Sequence, residues 1–261
     1  MSAEYPSSAN GWTDSALAER TLAVRERIAR AARRANRAAD SVTLVAVTKT
    51  VPLERILAAA KLGLSVFGEN RIQEAQEKRE RLAALAAHDA SVADLIRDLR
   101  WDLIGHLQTN KAGRAVELFD RVQSVDSARV AEALNTRAAA LGRKLPILLE
   151  VNVGGEASKS GFAPDEVLHA ARSIANLPAL SLGGLMTVAP IVAQQEDARP
   201  IFRQLRELRE RLREAVPQGE SGWADLSMGM SDDFEIAIEE GATLVRIGRS
   251  LFGDRPAPEA L

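Results

Sequence analysis

The stretch TLVAVTK, residues 43–49, decides how the rest of the chain is read. Thr43–Thr48 is a short β-rich apolar run, and Lys49 follows it directly. Outward from it, Leu53–Leu62 has helical period, and then the same alternation repeats to the end of the chain. The further strand candidates are Ser65–Gly68, Trp101–Gly105, Arg121–Val125, Ile147–Val153, Ser181–Thr187, Ala224–Met228 and Thr243–Ile247. Helical stretches fall near Arg71–Leu85, Lys111–Leu118, Ala128–Leu141, Pro164–Ala175, Gln195–Ala215 and Asp232–Glu240. Strands alternating with helices imply a mostly parallel sheet with helical crossovers. Eight such repeats fit an α/β fold of the closed (β/α)8 TIM-barrel type. The rival, an open doubly wound sheet, usually carries a glycine-rich phosphate loop after its first strand, and neither GxGxxG nor GxxxxGK[ST] is present.

Upstream, Asp14–Ala39 reads as an extra helix capped by Thr13 or Asp14, with Leu17, Val24, Ile28, Ala31 and Ala35 near one face. Arg20, Arg25, Arg27, Arg30, Arg33, Arg34 and Arg37 lie on the other face, which reads as a solvated outer surface because Glu19 and Glu26 interrupt it. Ala86–Leu99 reads as an insertion. The expected organisation is a flexible tail over 1–12, a single domain over 13–255, and a tail over 256–261.

The bulk properties agree with one sizeable core. The 261 residues are 46% hydrophobic and 27% charged, and 34 Lys+Arg against 36 Asp+Glu leave a net charge of −2. This balance argues against nucleic acid as a partner. There is no cysteine, which excludes disulfides, thiolate nucleophiles and cysteine-based metal sites. Only His88, His106 and His169 exist, at no ligand spacing, so no metal is expected. No apolar run approaches membrane-spanning length, and MSAEYPSSANGW does not read as a secretory signal. The expected setting is cytoplasmic, without membrane attachment, as a monomer or weak homodimer.

Barrel enzymes carry their sites at the C-terminal ends of the strands, so the polar residues there are the candidates. Lys49 follows the first strand, where partial desolvation favours the neutral amine that attacks carbonyls; a lysine snorkelling at a strand end is the alternative. Gly248 and Arg249 follow the eighth strand with backbone amides placed for an oxyanion. Ser231 lies between the seventh strand and its helix, as a phosphate ligand or as the cap of a helix running through Asp232 and Asp233. If it holds phosphate, both aspartates must turn away. Asn70 after the second strand reads as a site hydrogen-bonder or a helix cap. His106 is a candidate acid/base group without an assigned role, and Lys159 lies in the loop 154–161 after Asn152. Met186, at the end of the sixth strand, reads also as barrel packing.

Seven segments, AVTKTVP, FGENRIQEA, IGHLQTNK, NVGGEASKSGF, GLMTVAP, LSMGMSDDFEIAI and VRIGRSLFG, resemble in order and spacing the pyridoxal phosphate homeostasis protein family, over nearly everything from Leu44 to Gly253. The resemblance implies a fold-type III barrel like the N-terminal domain of alanine racemase, with pyridoxal 5′-phosphate (PLP) held as an internal aldimine on Lys49. It also implies that Ser231 and the amides of Gly248 and Arg249 hold the phosphate. Arg246 would face the pyridine nitrogen, with Asn70, Met186 and Ile247 also in the cofactor-binding set. His106 departs from the family, many of whose members have proline there. The first ~40 residues lie outside the resemblance.

A guanidinium beside the ring nitrogen disfavours its protonation, which weakens the ring as an electron sink. Tyr5, the only tyrosine, lies in the expected N-terminal tail, and no second domain is expected. The expected function is therefore intracellular PLP homeostasis, by buffering and by exchange with amino acids or apo-enzymes, with no strong turnover. A PLP-dependent amino-acid racemase is the alternative, followed by a cofactor-free Schiff-base aldolase acting on a phosphorylated sugar.

Overall fold

The structure, a computed structural model, describes residues 13–156, 159–190, 192–217 and 222–253. Both expected tails, and Tyr5 with them, lie outside the described residues. Eight strands close into a barrel in chain order: β1 (Thr43–Val47), β2 (Val66–Glu69), β3 (Arg100–Leu103), β4 (Arg121–Val125), β5 (Leu145–Glu150), β6 (Leu180–Met186), β7 (Asp225–Ser227) and β8 (Leu244–Ile247). Each pairs in parallel with the next, and β1 closes the ring on β8 through the register Thr43↔Leu244 to Ala46↔Ile247. The expected (β/α)8 architecture is the one found.

The helices are α1 (Asp14–Arg34), α2 (Leu53–Lys61), α3 (Ile72–Ala86), α4 (Ala90–Arg97), α5 (Ala112–Leu118), α6 (Ala128–Ala140), α7 (Val167–Ile174), α8 (Arg199–Ala215), α9 (Phe234–Glu239) and the short α10 (Arg249–Phe252). Among the described residues none is long and apolar enough to cross a membrane. The main core lies between strands and helices and includes Phe67, Phe119, Leu134, Phe202 and Phe234. Val45, Val66, Leu148, Met186 and Leu244 form a second, smaller cluster, one inward-facing layer of the barrel.

Four expectations need correction. Helix α1 is capped by Thr13, whose Oγ1 accepts the Ala16 N–H, but it stops at Arg34. Asn36 takes φ 53°, which breaks the helix, and Ala39–Ser41 forms a separate 3-10 turn. The arginine face of α1 is not simply solvated. Arg27 lies over the Phe234 ring and 3.1 Å from Glu235, Arg34 bonds Glu239, and Arg37 donates to the Ile238 carbonyl. The insertion contains α4, whose N-terminal amides Ser91 and Val92 donate to the Asp89 carboxylate. Strand β5 begins two residues earlier than expected, because the exposed Pro146 lies within it, and ends at Glu150.

Candidate functional site

The polar strand ends gather at one rim of the barrel because parallel strands all finish on the same side. Lys49 stands two residues beyond the end of β1, which stops at Val47 rather than Thr48, and is half-buried. Asn70 stands immediately after β2. Its backbone touches that of Gly105, where an added Cβ would lie 2.4 Å from the Asn70 carbonyl, so a glycine is needed there. The Asn70 side chain is not a cap: Arg71 is the N-cap of α3, and the buried Asn70 Oδ1 has no hydrogen-bond partner among the described residues.

Ser231 lies in the turn between β7 and α9. The helix begins at Phe234 with Asp233 as its N-cap residue, so Ser231 does not cap it. Ser231 Oγ instead accepts the Ser250 N–H at 3.3 Å, which places its hydroxyl against the start of α10, directly after β8. Both aspartates are otherwise engaged. Asp232 pairs with Arg249, and the Asp233 carboxylate accepts the Met230 N–H at 2.6 Å. Gly229 makes this turn at φ 90°, packed so closely that a Cβ would lie 2.5 Å from that of Ala237. Gly248 is the N-cap residue of α10, Ile247 is fully buried on β8, and Met186 is fully buried in the inner cluster.

Arg246 points inward from β8. Its Nη1 donates to Ser227 Oγ at 2.7 Å and its Nη2 to the Thr187 carbonyl at 2.8 Å. Ser227 donates to Gln123 Oε1 (2.6 Å), and Gln123 donates to the Asp102 carboxylate, which also receives Arg121. A continuous hydrogen-bonded column thus crosses the barrel interior and ends on the guanidinium. Burial pulls Arg246 down to about 10, against the opposing fields of Glu150 and Asp233, so it is charged at neutral pH.

Glu150, at the end of β5, was not singled out from the sequence. Burial pushes its carboxyl up to about 7; Asp126 pushes it further, while Arg246 and His106 pull it back. His106 donates from Nδ1 to Asp126 at 2.8 Å, with Ser160 Oγ 3.3 Å from the same nitrogen. Lys159 pairs with Glu156 at 2.7 Å, and Asn152 Nδ2 holds that loop through the Glu156 carbonyl. The sequence signal that would have found Glu150 is its period-two spacing from the inward-facing Leu148. No local pattern marks Gln123 or Ser227 as supports of Arg246.

Comparison with known proteins agrees with the closed barrel. The family described as alanine racemase, N-terminal domain, matches residues 22–256. A protein of Aquifex aeolicus named pyridoxal phosphate homeostasis protein is 42% identical over 241 residues, covering 91% of this chain and 97% of its own. The structure of PipY from Synechococcus elongatus with PLP bound superposes with a TM-score of 0.76 at 35% identity, covering 91% of this chain and all of that one. The alanine racemase of Corynebacterium glutamicum shares the fold, with a TM-score of 0.65 at 17% identity over 95% of this chain and 63% of its own. Motif order, barrel closure and these likenesses converge: the chain belongs to the pyridoxal phosphate homeostasis protein family.

Proposed function

We propose that this protein binds PLP at the rim formed by β1, β7 and β8 and acts in PLP homeostasis by buffering and exchanging the cofactor, without strong turnover. The observation that carries this reading is the set of strand ends gathered there. A half-buried amine at Lys49, a buried guanidinium at Arg246 and a hydroxyl–amide corner at Ser231 and Ser250 stand on adjacent strands, beside a buried, unpaired oxygen on Asn70. These groups fit PLP. PLP supplies an aldehyde, which condenses with a primary amine. Lys49 provides that amine, and Ser231 with the amides at Gly248 and Arg249 takes the phosphate. Arg246 would face the pyridine nitrogen, and Asn70, Met186 and Ile247 would border the ring.

The charge on Arg246 argues for holding rather than turnover. Its hydrogen bonds to Ser227 and Thr187 fix the guanidinium, and a fixed cation opposes protonation of a neighbouring ring nitrogen. The exchange partners in this reading are free amino acids and PLP-dependent apo-enzymes, the setting is cytoplasmic, and the assembly is a monomer or weak homodimer. The test is the absorption spectrum of the protein with PLP, before and after borohydride. The expected result is a visible band that borohydride removes, leaving covalent label on Lys49; Lys49→Ala abolishes both. A band of equal strength in Lys49→Ala rules the assignment out, and α-deuterium exchange of added amino acids above that of free PLP would support a racemase instead.

A further inference from the structure

We propose that Lys78, held between Glu69 and Glu74, is a positioning residue for Lys49: this buried cluster fixes the backbone turn that carries the amine. The inference rests on the assignment of Lys49 above and explains what aims it.

The Val51 N–H donates to the Thr48 carbonyl at 2.9 Å, closing a four-residue turn with Lys49 and Thr50 at its centre. Thr50 has φ 63° and Lys49 does not share this positive φ, the sign pattern of a type II turn. That turn wants glycine or asparagine where Thr50 stands, and a β-branched residue in left-handed backbone is strained. The turn therefore needs something outside itself to hold it.

The holding contacts come from α3 and β2. The Lys78 ammonium donates to the Thr48 carbonyl (2.6 Å), to Glu69 Oε1 (2.7 Å) and to Glu74 Oε1 (2.7 Å). The Thr48 hydroxyl donates to Glu69 Oε1 at 2.7 Å, and the Thr50 N–H donates to Glu74 Oε1 at 2.5 Å. Both neighbours of Lys49 in sequence are thus bonded to one cluster, and all three ammonium donors are used. Lys78 is 7% exposed and Glu69 is fully buried, and burial pushes the Glu69 carboxyl upward against the pull of Lys78. Buried ion pairs of this kind contribute little net stability over apolar residues of the same volume, so placement is the better account of their presence. Because the cluster draws on β2 and α3, the turn is referenced to the neighbouring strand and its helix. If the clamp opens, the strained turn is free to relax, and the tip of a long side chain moves further than its base.

Glu74 is the place to test this, since it is half-buried and its loss leaves the Glu69–Lys78 pair intact. Glu74→Gln keeps an oxygen that accepts from Thr50 and Lys78; Glu74→Ala does not. Each folded variant, checked by circular dichroism, is mixed with PLP, quenched with borohydride at timed intervals, and mapped by peptide mass. Glu74→Ala is expected to slow labelling of Lys49 by roughly tenfold, in line with the cost of small misplacements of a reacting group. Glu74→Gln should stay within about twofold of the unaltered protein, because the hydrogen bonds survive. Lys78→Arg, which keeps the charge but not the compact three-way contact, should slow labelling as well. Labelling at the unaltered rate in Glu74→Ala or Lys78→Arg, or equal slowing by Glu74→Ala and Glu74→Gln, overturns the positioning role. If the unaltered protein takes no label on Lys49, the underlying assignment falls and the clamp with it, so the two failures are distinguishable.

Discussion

Glu150 titrates where few carboxyls do. Its folded-state value near 7 lies above its ordinary 4.5, so the folded state binds a proton more tightly than the unfolded chain does. The associated stability is fully present below about pH 4.5 and is lost as pH rises through 7. Glu150→Gln removes this dependence. The variant should melt higher than the unaltered protein at pH 8, by of the order of 1–3 kcal/mol, and the difference should disappear near pH 4. Thermal melts across that range check it, and a pH-independent difference would contradict the burial account. At this scale the sequence offered Lys49, Asn70 and Ser231 as candidates because they follow strands, whereas Arg246, inside β8, entered only through the family resemblance. It did not show Glu150, Gln123 or Lys78, whose roles depend on partners from other strands or helices. Nor did it show that the Ser231 hydroxyl turns toward Ser250 rather than capping a helix.

The elements depend on backbone details that composition conceals. Strand β7 is only three residues long, and its exit turn works because Gly229 lets α9 pack against it. Gly229→Ala requires a positive φ of an L-residue and sets a methyl against Ala237 and Phe234, a cost of about 1–3 kcal/mol from overpacking alone. Since Ser231 is two residues on, the same variant should also retain PLP poorly; equilibrium dialysis and a melting curve check both. Asp89→Ala should lower the melting temperature through loss of the cap of α4, without affecting PLP retention. Helix α4 was missed because it is only eight residues long, about two turns, which is too short for a helical period to stand out from an insertion. The strands were legible because closed parallel barrels bury both faces, giving apolar runs bounded by polar ends. Pro146 hid the true start of β5 because proline cannot donate to a ladder hydrogen bond.

For the molecule as a whole, a ligand bound only by the folded state stabilises it in proportion to its saturation. At one hundred times its dissociation constant PLP should contribute about 2.7 kcal/mol, a rise in Tm of roughly 5–10 °C for a domain of this size. Lys49→Ala should show a smaller rise, and an equal rise would place the binding energy elsewhere. The eightfold alternation made the architecture readable from sequence, but the docking of the first helix was not readable, because its partners are about 200 residues away. Helix α1 lies against α9 and α10, with Arg27 and Arg34 reaching Glu235 and Glu239, while β1 must wait for β8. On the ribosome, then, the earliest helix to emerge has no permanent seat until almost the last one has been made. Such distant pairing slows folding, and nascent chains stalled before residue 234 should be open to proteases that leave the released protein intact.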